Sequence, residues 1–372
     1  MTPLHIIDTL GIGGAEQVLV NLLPALAKQG ASPVVGVLRP PYDLQETLEA
    51  RGIPVHRLAA QNKWRLSSGA RKITALANET NAHVIHAHLL FPSLYTGFAR
   101  SAGLSRAATC VTFHNLAYRP GANKPGPGLW LRKGLNRLAT LHGMDGITAV
   151  SSAVAEHYGA VLGLKDIRVI PNPVPVVEIQ KTTRPLTVEN PVPRIILPGR
   201  LVHEKGHEVL VEALGQLREG GRIFDLVFAG EGPRRTALER LIAEAGLADT
   251  TRITGRMPHD QLMDEIAAAD LVVIPSLFEG FGLTAAEALA LGKPVIAAET
   301  GGLTDVIRDG ETGLMVPPGD AGALAAAIRR LNGDPRLATR LGAAGKADVT
   351  SRFDPDHVAG QLISFYEEML GS

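Results

Sequence analysis

The chain has 372 residues but only one cysteine, and it has no excess of either charge. Cys110 cannot form an intramolecular disulfide or a cysteine metal cluster, and its apolar surroundings, ATCVTF, indicate a buried thiol. The 37 basic residues balance 37 acidic ones, so a broadly basic surface for nucleic acid is not expected. Any anion site must therefore be local.

Long apolar runs are also missing. No stretch reaches the roughly 18 residues that a membrane-spanning helix needs. The N-terminal MTPLHIIDTL meets Asp8 before a signal-length segment can form. We therefore expect a cytoplasmic protein, which could still contact the inner face of a membrane. The histidines and the cysteine show no metal-site spacing, so neither a metal nor a cofactor is expected.

The sequence does contain a regular alternation of short β-branched runs and helical patterns. LHIID, PVVGVL and HVIHA precede helical segments in the first half, and RIILP, FDLVFAG and DLVVIP do so in the second. This alternation is typical of parallel sheets covered by helices on both faces. The sequence predicts an α/β chain with two doubly wound, Rossmann-like domains. Loops at the carboxyl ends of their strands should line a cleft between the domains.

A proline-rich stretch separates the two series of strands. It begins at PNPVP and shows no helical period, which indicates a linker. We predict domains over residues 1–175 and 193–352, joined by a linker over 176–192. Residues 353–372 read as a terminal helix with Asp356 as its cap.

Two cations lie in the loop GRLVHEKG, between the strand RIILP and the next helix. Positive charge at a helix start opposes the helix dipole, so Arg200 and Lys205 need another explanation than a solvated pair. The fork of an arginine and the point charge of a lysine together suit a diphosphate. This loop therefore predicts an anion site.

A second loop, EGFGL, opens a helix after the strand DLVVIP. Gly280 and Gly282 expose backbone amides at the helix N-terminus, where anions bind. Glu279 and Glu287 bracket this site, and carboxylates accept hydrogen bonds from vicinal hydroxyls. Glu287 has apolar neighbours, so we expect it to be buried with a ligand as its partner. A nucleotide sugar, with hydroxylated rings on both sides of a diphosphate, fits this bracket.

A third loop, GIGGAE, follows the first strand. Gly13 and Gly14 let backbone amides approach a phosphate or a sugar, and a tight turn is the alternative. Glu16 stands where a dinucleotide-binding fingerprint needs glycine, which argues against a dehydrogenase.

These motifs together resemble the family 4 retaining glycosyltransferases of GT-B fold. The resemblance is carried by GRLVHEKG, AGEGP, SLFEGFGLTAAEALALGKPVIA and GGLTDVIRDGETGLMVPPGD, and by GGAE, VIHAH, AVSSAV and VIPN nearer the N-terminus. It spans nearly the whole chain. It implies an acceptor-side first domain, a donor-binding second domain, and a terminal helix that packs back on the first. It also implies metal-independent transfer of a sugar from a nucleotide-diphosphate sugar to a hydroxyl, with retention at the anomeric carbon.

The resemblance also assigns roles to single residues. Arg200 and Lys205 would bind the donor diphosphate and stabilise its charge as it leaves. Glu279 would bind the transferred sugar and Glu287 the ribose. His114, in VTFHN, resembles the histidine that approaches the sugar from the first domain. The predicted catalytic residues are thus His114, Arg200, Lys205 and Glu279, and the predicted donor-binding residues are Gly13, Gly14, Arg200, Lys205, Glu279, Gly280, Phe281, Gly282, Leu283 and Glu287.

The substrates are less closely specified by the sequence. The base stays open between uracil and guanine, with a UDP-sugar as the favoured donor. The acceptor carries a hydroxyl, as in glycan, polysaccharide or glycolipid biosynthesis.

Residues 118–138 combine a Gly/Pro loop with Trp130, leucines and basic residues. Such a segment can lie on an anionic membrane, which would suit a lipid-linked acceptor. The alternative is a surface helix whose leucines pack on the sheet.

Two other functions remain open from the sequence. One is a sugar-nucleotide epimerase or phosphorylase on a similar scaffold, which would release the nucleotide without an acceptor. The other is a nucleotide-sugar-binding subunit without catalysis. The presence of Arg200, Lys205, Glu279 and Glu287 argues against a decayed site, but a sequence does not show turnover.

Overall fold

The computed structural model describes residues 1–60, 64–119, 126–186 and 192–371. It divides into two compact units, one of Met1–Pro173 with Pro355–Ser372 and one of Val174–Asp354. Each unit contains one parallel sheet, of seven strands in the first and six in the second. The predicted pair of doubly wound α/β domains is therefore confirmed.

The thirteen strands of the described residues are short and mostly buried, as parallel strands between helix layers are. The first sheet contains β1 (Pro3–Ile7), β2 (Val34–Val37), β3 (Val55–Arg57), β4 (Val84–His88), β5 (Ala108–Phe113), β6 (Gly146–Ala149) and β7 (Arg168–Val169). The second contains β8 (Arg194–Pro198), β9 (Asp225–Ala229), β10 (Thr251–Ile253), β11 (Leu271–Ile274), β12 (Val295–Ala298) and β13 (Leu314–Val316).

Both sheets reverse their strand order at one point. The first runs β3-β2-β1-β4-β5-β6-β7 and the second β10-β9-β8-β11-β12-β13. The chain therefore builds outward from β1 in one direction and then from β4 in the other, and it does the same from β8 and β11. Ligands of such sheets bind beyond the carboxyl ends of the strands at this switch point.

Helices connect the strands. In the first unit they are α1 (Gly14–Lys28), α2 (Gln45–Ala50), α3 (Leu66–Glu79), α4 (Leu90–Ser101), α5 (Pro127–Gly143), α6 (Ser152–Leu162) and α15 (Pro355–Gly371). In the second they are α7 (Val176–Thr182), α8 (His207–Glu219), α9 (Arg235–Glu244), α10 (His259–Ala268), α11 (Leu283–Ala290), α12 (Leu303–Val306), α13 (Ala321–Gly333) and α14 (Pro335–Arg352). None of the described helices is long and apolar enough to cross a bilayer.

The first sheet is covered by apolar side chains on both faces. Leu4 and Ile6 of β1 join one buried cluster, while Ile7 joins another on the opposite face. This second cluster includes Val358 and Leu362 of α15. Because side chains alternate across a strand, one short strand contributes to both layers. Cys110 is fully buried within the same cluster as Ile7, and burial raises the pKa of its thiol.

Helix α15 packs against α1 and the first sheet. Lys28 pairs with Asp356, and Arg168 forms a bidentate ion pair with Glu368 at 2.6–2.8 Å. Asp356 lies inside the first turn, since the helix begins at Pro355. The expectation that Asp356 precedes the helix as its cap was therefore wrong.

The predicted linker also differs from the structure. Residues 176–182 form α7, in which Val176 and Ile179 are buried. Pro175 stands immediately before the helix, where a missing N–H removes no helical hydrogen bond, and the i,i+3 spacing places both apolar side chains on one face. Prolines at either end concealed this short helix in the sequence. Residues 187–191 of the predicted linker lie outside the described residues.

Candidate functional sites in the two units

The switch point of the second sheet is flanked by the two loops that the sequence singled out. One loop follows β8 and carries Arg200 and Lys205, and the other follows β11 and carries Glu279. The backbone N–H of Leu277 donates to the carbonyl of Glu204 at 2.8 Å, which ties the two loops together. Residues that are about 75 positions apart in the sequence thus meet at one edge of the sheet.

Lys205 and Glu279 form an ion pair at this edge. The Nζ of Lys205 lies 2.5 Å from Oε2 of Glu279, and Ser276 Oγ lies 3.4 Å from the same oxygen. Their side chains are only 24% and 18% exposed. Partial burial strengthens the attraction between the two charges and holds both in fixed positions.

Two glycines permit the close approach of these loops. Gly206 has φ +67°, and a Cβ there would lie 2.0 Å from the carbonyl oxygen of Pro275. Gly301 has φ +54°, and a Cβ there would lie 2.0 Å from the carbonyl oxygen of Glu279. Only glycine can occupy both a left-handed conformation and so narrow a gap. The chain around Glu279 is thereby enclosed by neighbouring backbone.

Arg200 differs from Lys205 because it is exposed. Within the described part of the chain, no hydrogen bond or ion pair engages its guanidinium. Gly199 before it has φ +148° and lies against the methylenes of Lys205. The loop therefore offers one cation held by a carboxylate and one that is available to an anion.

Helix α11 begins directly beyond Glu279. Gly282 is its N-terminal cap residue, with φ +99°. The first backbone N–H groups of a helix have no partner within it, so Gly282 and Leu283 present amides at the helix start, while Gly280 and Phe281 precede the helix. Phe281 is 3% exposed, and its ring meets that of Phe353 edge-on at 5.3 Å. This packing fixes the start of the helix.

Glu287 is buried, as its apolar neighbours indicated, but its partner is a protein group. His259 Nε2 lies 2.8 Å from Oε1 of Glu287, which is 6% exposed. Burial lowers the pKa of His259, but the hydrogen bond and the charge of Glu287 outweigh burial and raise it above its ordinary value. His259 thus compensates part of the charge of Glu287, and a ligand contact to this carboxylate stays a prediction.

The glycine loop of the first unit is occupied by an acidic side chain. Gly13 is the N-terminal cap residue of α1, and a Cβ there would lie 2.5 Å from Oε2 of Glu16. Thr9 Oγ1 donates to the other oxygen of Glu16 at 2.9 Å. Burial is the largest influence on this carboxyl and raises its pKa. A carboxylate beside Gly13 and Gly14 competes with the anion that the sequence predicted there.

His114 follows β5, is half-buried, and lies at the end of a group of buried histidines in the first unit. Its Nε2 lies 2.9 Å from Nδ1 of His88, and its own Nδ1 has no hydrogen-bond partner among the described residues. Burial lowers the pKa of His114 to about 4, so the ring is neutral at physiological pH. From the sequence, His86 and His88 were placed at the end of the neighbouring strand without a catalytic role, and the structure shows that His88 is the one that contacts His114.

Comparison with known proteins indicates the family of this chain and identifies its fold. Residues 12–178 match the model described as Glycosyltransferase Family 4, and residues 179–348 match the model described as Glycosyl transferases group 1. The chain is 33% identical over 238 residues to the 2-deoxystreptamine glucosyltransferase of Streptomyces kanamyceticus, covering 61% of each protein. It is 33% identical over 221 residues to the glycogen synthase of Mycobacterium tuberculosis, covering 59% of this chain and 52% of that enzyme. The chain thus spans between half and two thirds of these relatives.

Two solved structures have the same fold over their whole length. Sucrose-phosphate synthase of Thermosynechococcus elongatus is 25% identical with a TM-score of 0.83, and both chains are covered completely. HepE of Anabaena, in complex with UDP-glucose, is 21% identical with a TM-score of 0.83, covering 99% of this chain and 100% of HepE. The two parallel-sheet domains are those of the GT-B fold.

The close approach at Gly206 predicts a specific loss of stability. Replacement of Gly206 by alanine should cost more than the about 1 kcal/mol expected for left-handed strain alone, because its Cβ collides with the Pro275 carbonyl. Gly221 is the matched control, since it has φ +77° with nothing within 4 Å of its Cβ. Urea unfolding of both variants measures the difference. Equal losses would show that the gap at Gly206 is not needed.

The pair of His259 and Glu287 predicts a pH dependence. A raised pKa means that the folded chain binds a proton more tightly than the unfolded chain, so the pair stabilises the fold fully below the unfolded pKa of about 6.5. This contribution is lost as pH rises through the higher folded pKa. Glu287→Gln should lower the pKa of His259 in an NMR titration and remove this part of the pH dependence of unfolding.

A matched control is Glu212→Gln, which removes an exposed helical carboxylate from α8. It should leave the titration of His259 unchanged. An unchanged His259 pKa in Glu287→Gln would mean that the hydrogen bond does not set the charge of the ring.

Proposed function

The chain belongs to the glycosyl transferases group 1 family, and from this premise we propose that it transfers a sugar from a nucleotide-diphosphate sugar to a hydroxyl group. The observation that carries the proposal is the ion pair of Lys205 and Glu279 beside the available Arg200, at the switch point of the second sheet. We further propose retention at the anomeric carbon, and a place in glycan, polysaccharide or glycolipid biosynthesis.

Lys205 and Arg200 would hold the diphosphate. Arg200 can bind phosphate oxygens through its fork, while the ammonium of Lys205 supplies a compact charge. The amides at the start of α11 would add donors to the same anion. As the bond to the sugar breaks, negative charge develops on the leaving diphosphate, and fixed cations stabilise it most at that moment. These groups would supply the charge that a metal ion provides in other transferases.

Glu279 and Glu287 would contact hydroxyl groups on the two sides of the diphosphate. Glu279 holds Lys205 through one oxygen, and its other oxygen can accept from a sugar hydroxyl. Glu287 holds His259 through Oε1, which leaves Oε2 as the acceptor for a ribose hydroxyl. The proposed diphosphate site does not include Gly13 and Gly14, since the Glu16 carboxylate lies against their loop.

UDP-sugar is the donor that we favour over GDP-sugar. HepE, which has the same fold, was solved with UDP-glucose. The groups assembled at the switch point contact the diphosphate and the sugars, which both classes of nucleotide share. The choice of base therefore needs a direct measurement.

Binding of UDP and GDP tests the donor site. Calorimetry with EDTA present should show binding of one nucleotide by the wild-type chain. Lys205→Ala should weaken this binding about 10-fold to 100-fold, the size of one lost charge-assisted contact. Arg200→Ala should have an effect in the same direction. Arg222→Ala is the control, because it removes an exposed cation that precedes β9 at the opposite edge of the same sheet.

The variant Glu279→Gln separates the binding of the diphosphate by Lys205 from the contact of Glu279 with the transferred sugar. It releases Lys205 from its carboxylate, so UDP should bind at least as tightly as in the wild type, whereas turnover of UDP-glucose should fall. Loss of UDP binding in this variant would show that Glu279 is needed to position Lys205. Unchanged binding in both Lys205→Ala and Arg200→Ala would contradict the proposed donor site.

We also propose that α5 contacts an anionic membrane. Trp130, Leu131 and Leu138 are 74%, 60% and 53% exposed, whereas Leu135 is half-buried, so most of this apolar surface faces solvent instead of packing on the sheet. Lys133 Nζ lies 5.7 Å from the centre of the Trp130 ring, which places a positive charge beside this apolar surface. Apolar and basic groups together bind the interface of anionic lipids. Residues 120–125, which precede the helix, lie outside the described residues.

Vesicle binding tests this surface. The wild-type chain should sediment with vesicles that contain phosphatidylglycerol and less with pure phosphatidylcholine, and salt should weaken the binding. Trp130→Glu with Leu131→Glu should abolish it. Ile223→Glu is the control, because Ile223 is 49% exposed in the second unit. Equal sedimentation of the double variant and the wild type would contradict membrane contact through α5.

A further inference from the structure

The first sheet aligns a set of polar side chains across its four central strands. Strand register pairs His5 with His86, His88 with Thr112, and Thr112 with Thr148. All five side chains are buried, with at most 8% exposure. Buried polar groups persist where each finds a hydrogen-bond partner, so the partners in this set are informative.

The side chains form one continuous series of contacts, which we call the histidine chain. Tyr366 of α15 joins its two halves, and His114 stands at its end. The successive contacts are Thr148 Oγ1 to Thr112 Oγ1 at 2.6 Å, Thr112 Oγ1 to His86 Nε2 at 2.6 Å, His86 Nδ1 to Tyr366 Oη at 2.6 Å, Tyr366 Oη to His5 Nε2 at 3.5 Å, His5 Nδ1 to His88 Nε2 at 3.0 Å, and His88 Nδ1 to His114 Nε2 at 2.9 Å.

The four histidines of this chain are neutral. Burial lowers the pKa of His5 to about 3 and that of His114 to about 4, and it holds those of His86 and His88 well below the ordinary value. A neutral imidazole has one N–H and one lone pair. Each ring can therefore donate on one side and accept on the other, so a direction that is fixed at one end of the chain passes through every ring.

The carbonyl of Val111 decides between the two directions. It can only accept, and Thr148 Oγ1 lies 3.3 Å from it. If Thr148 donates to Val111, then Thr112 donates to Thr148, and His86 donates to Thr112 through Nε2. Tyr366 then donates to Nδ1 of His86. In this direction every contact of the histidine chain is a hydrogen bond.

The same direction continues to His114. His5 donates to Tyr366 through Nε2, and His88 donates to His5 through Nε2. His114 then donates to His88 through Nε2, which leaves Nδ1 of His114 with a lone pair. In the reverse direction Thr148 donates to Thr112, so the contact with the Val111 carbonyl contains no hydrogen, and His114 carries an N–H without a partner among the described residues. The forward direction makes one more hydrogen bond.

We propose that the histidine chain holds His114 as the Nε2–H tautomer, so that its Nδ1 accepts a hydrogen bond from a hydroxyl group of the substrate. Tyr366, His86, His5 and His88 are then positioning residues that act through His114. This inference rests on the proposed transferase function for the identity of the substrate. The tautomer itself follows from contacts within the first unit.

A metal ion is the other occupant that buried histidines suggest. His5, His86 and His88 lie close enough together to hold one, although the sequence showed no metal-site spacing. Both ring nitrogens of His86, however, are engaged at 2.6 Å by Tyr366 and Thr112. A metal at His86 would break one of these bonds. The hydrogen-bonded arrangement satisfies the nitrogens of His86 without an ion.

Long-range ¹H–¹⁵N spectra of the full chain, labelled at histidine and measured with EDTA, test the tautomers directly. All four rings of the histidine chain should carry their proton on Nε2. Tyr366→Phe removes the link between His86 and His5 but keeps the aromatic ring. It should therefore populate the Nδ1–H tautomer of His114.

Turnover of UDP-glucose to UDP supplies a second readout. In Tyr366→Phe, kcat should fall about tenfold, the effect expected for one orienting hydrogen bond, while KM for UDP-glucose stays unchanged. Tyr158→Phe is the matched control. Tyr158 is 4% exposed and stacks on Phe113 next to His114, but it is not a member of the histidine chain. It should change neither the tautomer of His114 nor kcat.

Thr148→Val provides an independent variant if Tyr366→Phe does not fold, because it removes the hydrogen bond to the Val111 carbonyl with little change in side-chain shape.

A wild-type His114 that carries Nδ1–H would overturn the proposal, as would unchanged tautomers in the folded variants. An altered tautomer with unchanged kcat would also overturn it. Stoichiometric Zn²⁺ that displaces the proton signals of His5, His86 and His88 would favour a metal site instead. A wild type with the predicted tautomers but no release of UDP would contradict the donor and leave the tautomer established.

Discussion

The reversal of strand order in each sheet is the constraint on which both candidate sites depend. Connections that leave neighbouring strands in opposite directions draw their loops apart, so the carboxyl edge between those strands is not covered by the sheet's own helices. In the second unit, the edge beyond β8 and β11 receives Lys205 and Glu279. In the first unit, β1 and β4 meet at the same kind of point, and His5 and His88 lie there.

The two units place polar groups in partly buried surroundings by opposite electrostatic means. The second unit pairs charged groups, as in Lys205 with Glu279, and places the Glu287 carboxylate against His259, whose pKa it raises. The first unit removes charge, because burial holds its histidines neutral, and satisfies each ring by hydrogen bonds. Paired charges suit the binding of ions. Neutral rings suit the relay or acceptance of a proton, since a neutral imidazole does both.

The local sequence pattern was sufficient to predict the strands and the loops that carry Lys205 and Glu279. The alternation of strands and helices determines which loops reach the carboxyl edge of the sheet. Side-chain partners that depend on tertiary packing could not be predicted from the sequence. The pairing of His259 with Glu287 depends on how α10 lies beside α11, and the covering of Gly13 by Glu16 depends on one side-chain conformation. Helix α7 was missed because prolines flank it, although its burial of Val176 and Ile179 stabilises the helix.

The position of Tyr366 in the sequence sets when the first unit can complete its internal hydrogen bonds. The first unit encloses His5 and His86 early in the sequence, but the hydroxyl that joins them belongs to α15, which follows the whole of the second unit. During synthesis from the N-terminus, domains fold as their residues emerge. A nascent first unit therefore has its strands and helices, but its buried histidines lack the hydroxyl of Tyr366. Their final hydrogen bonds form only when α15 is released.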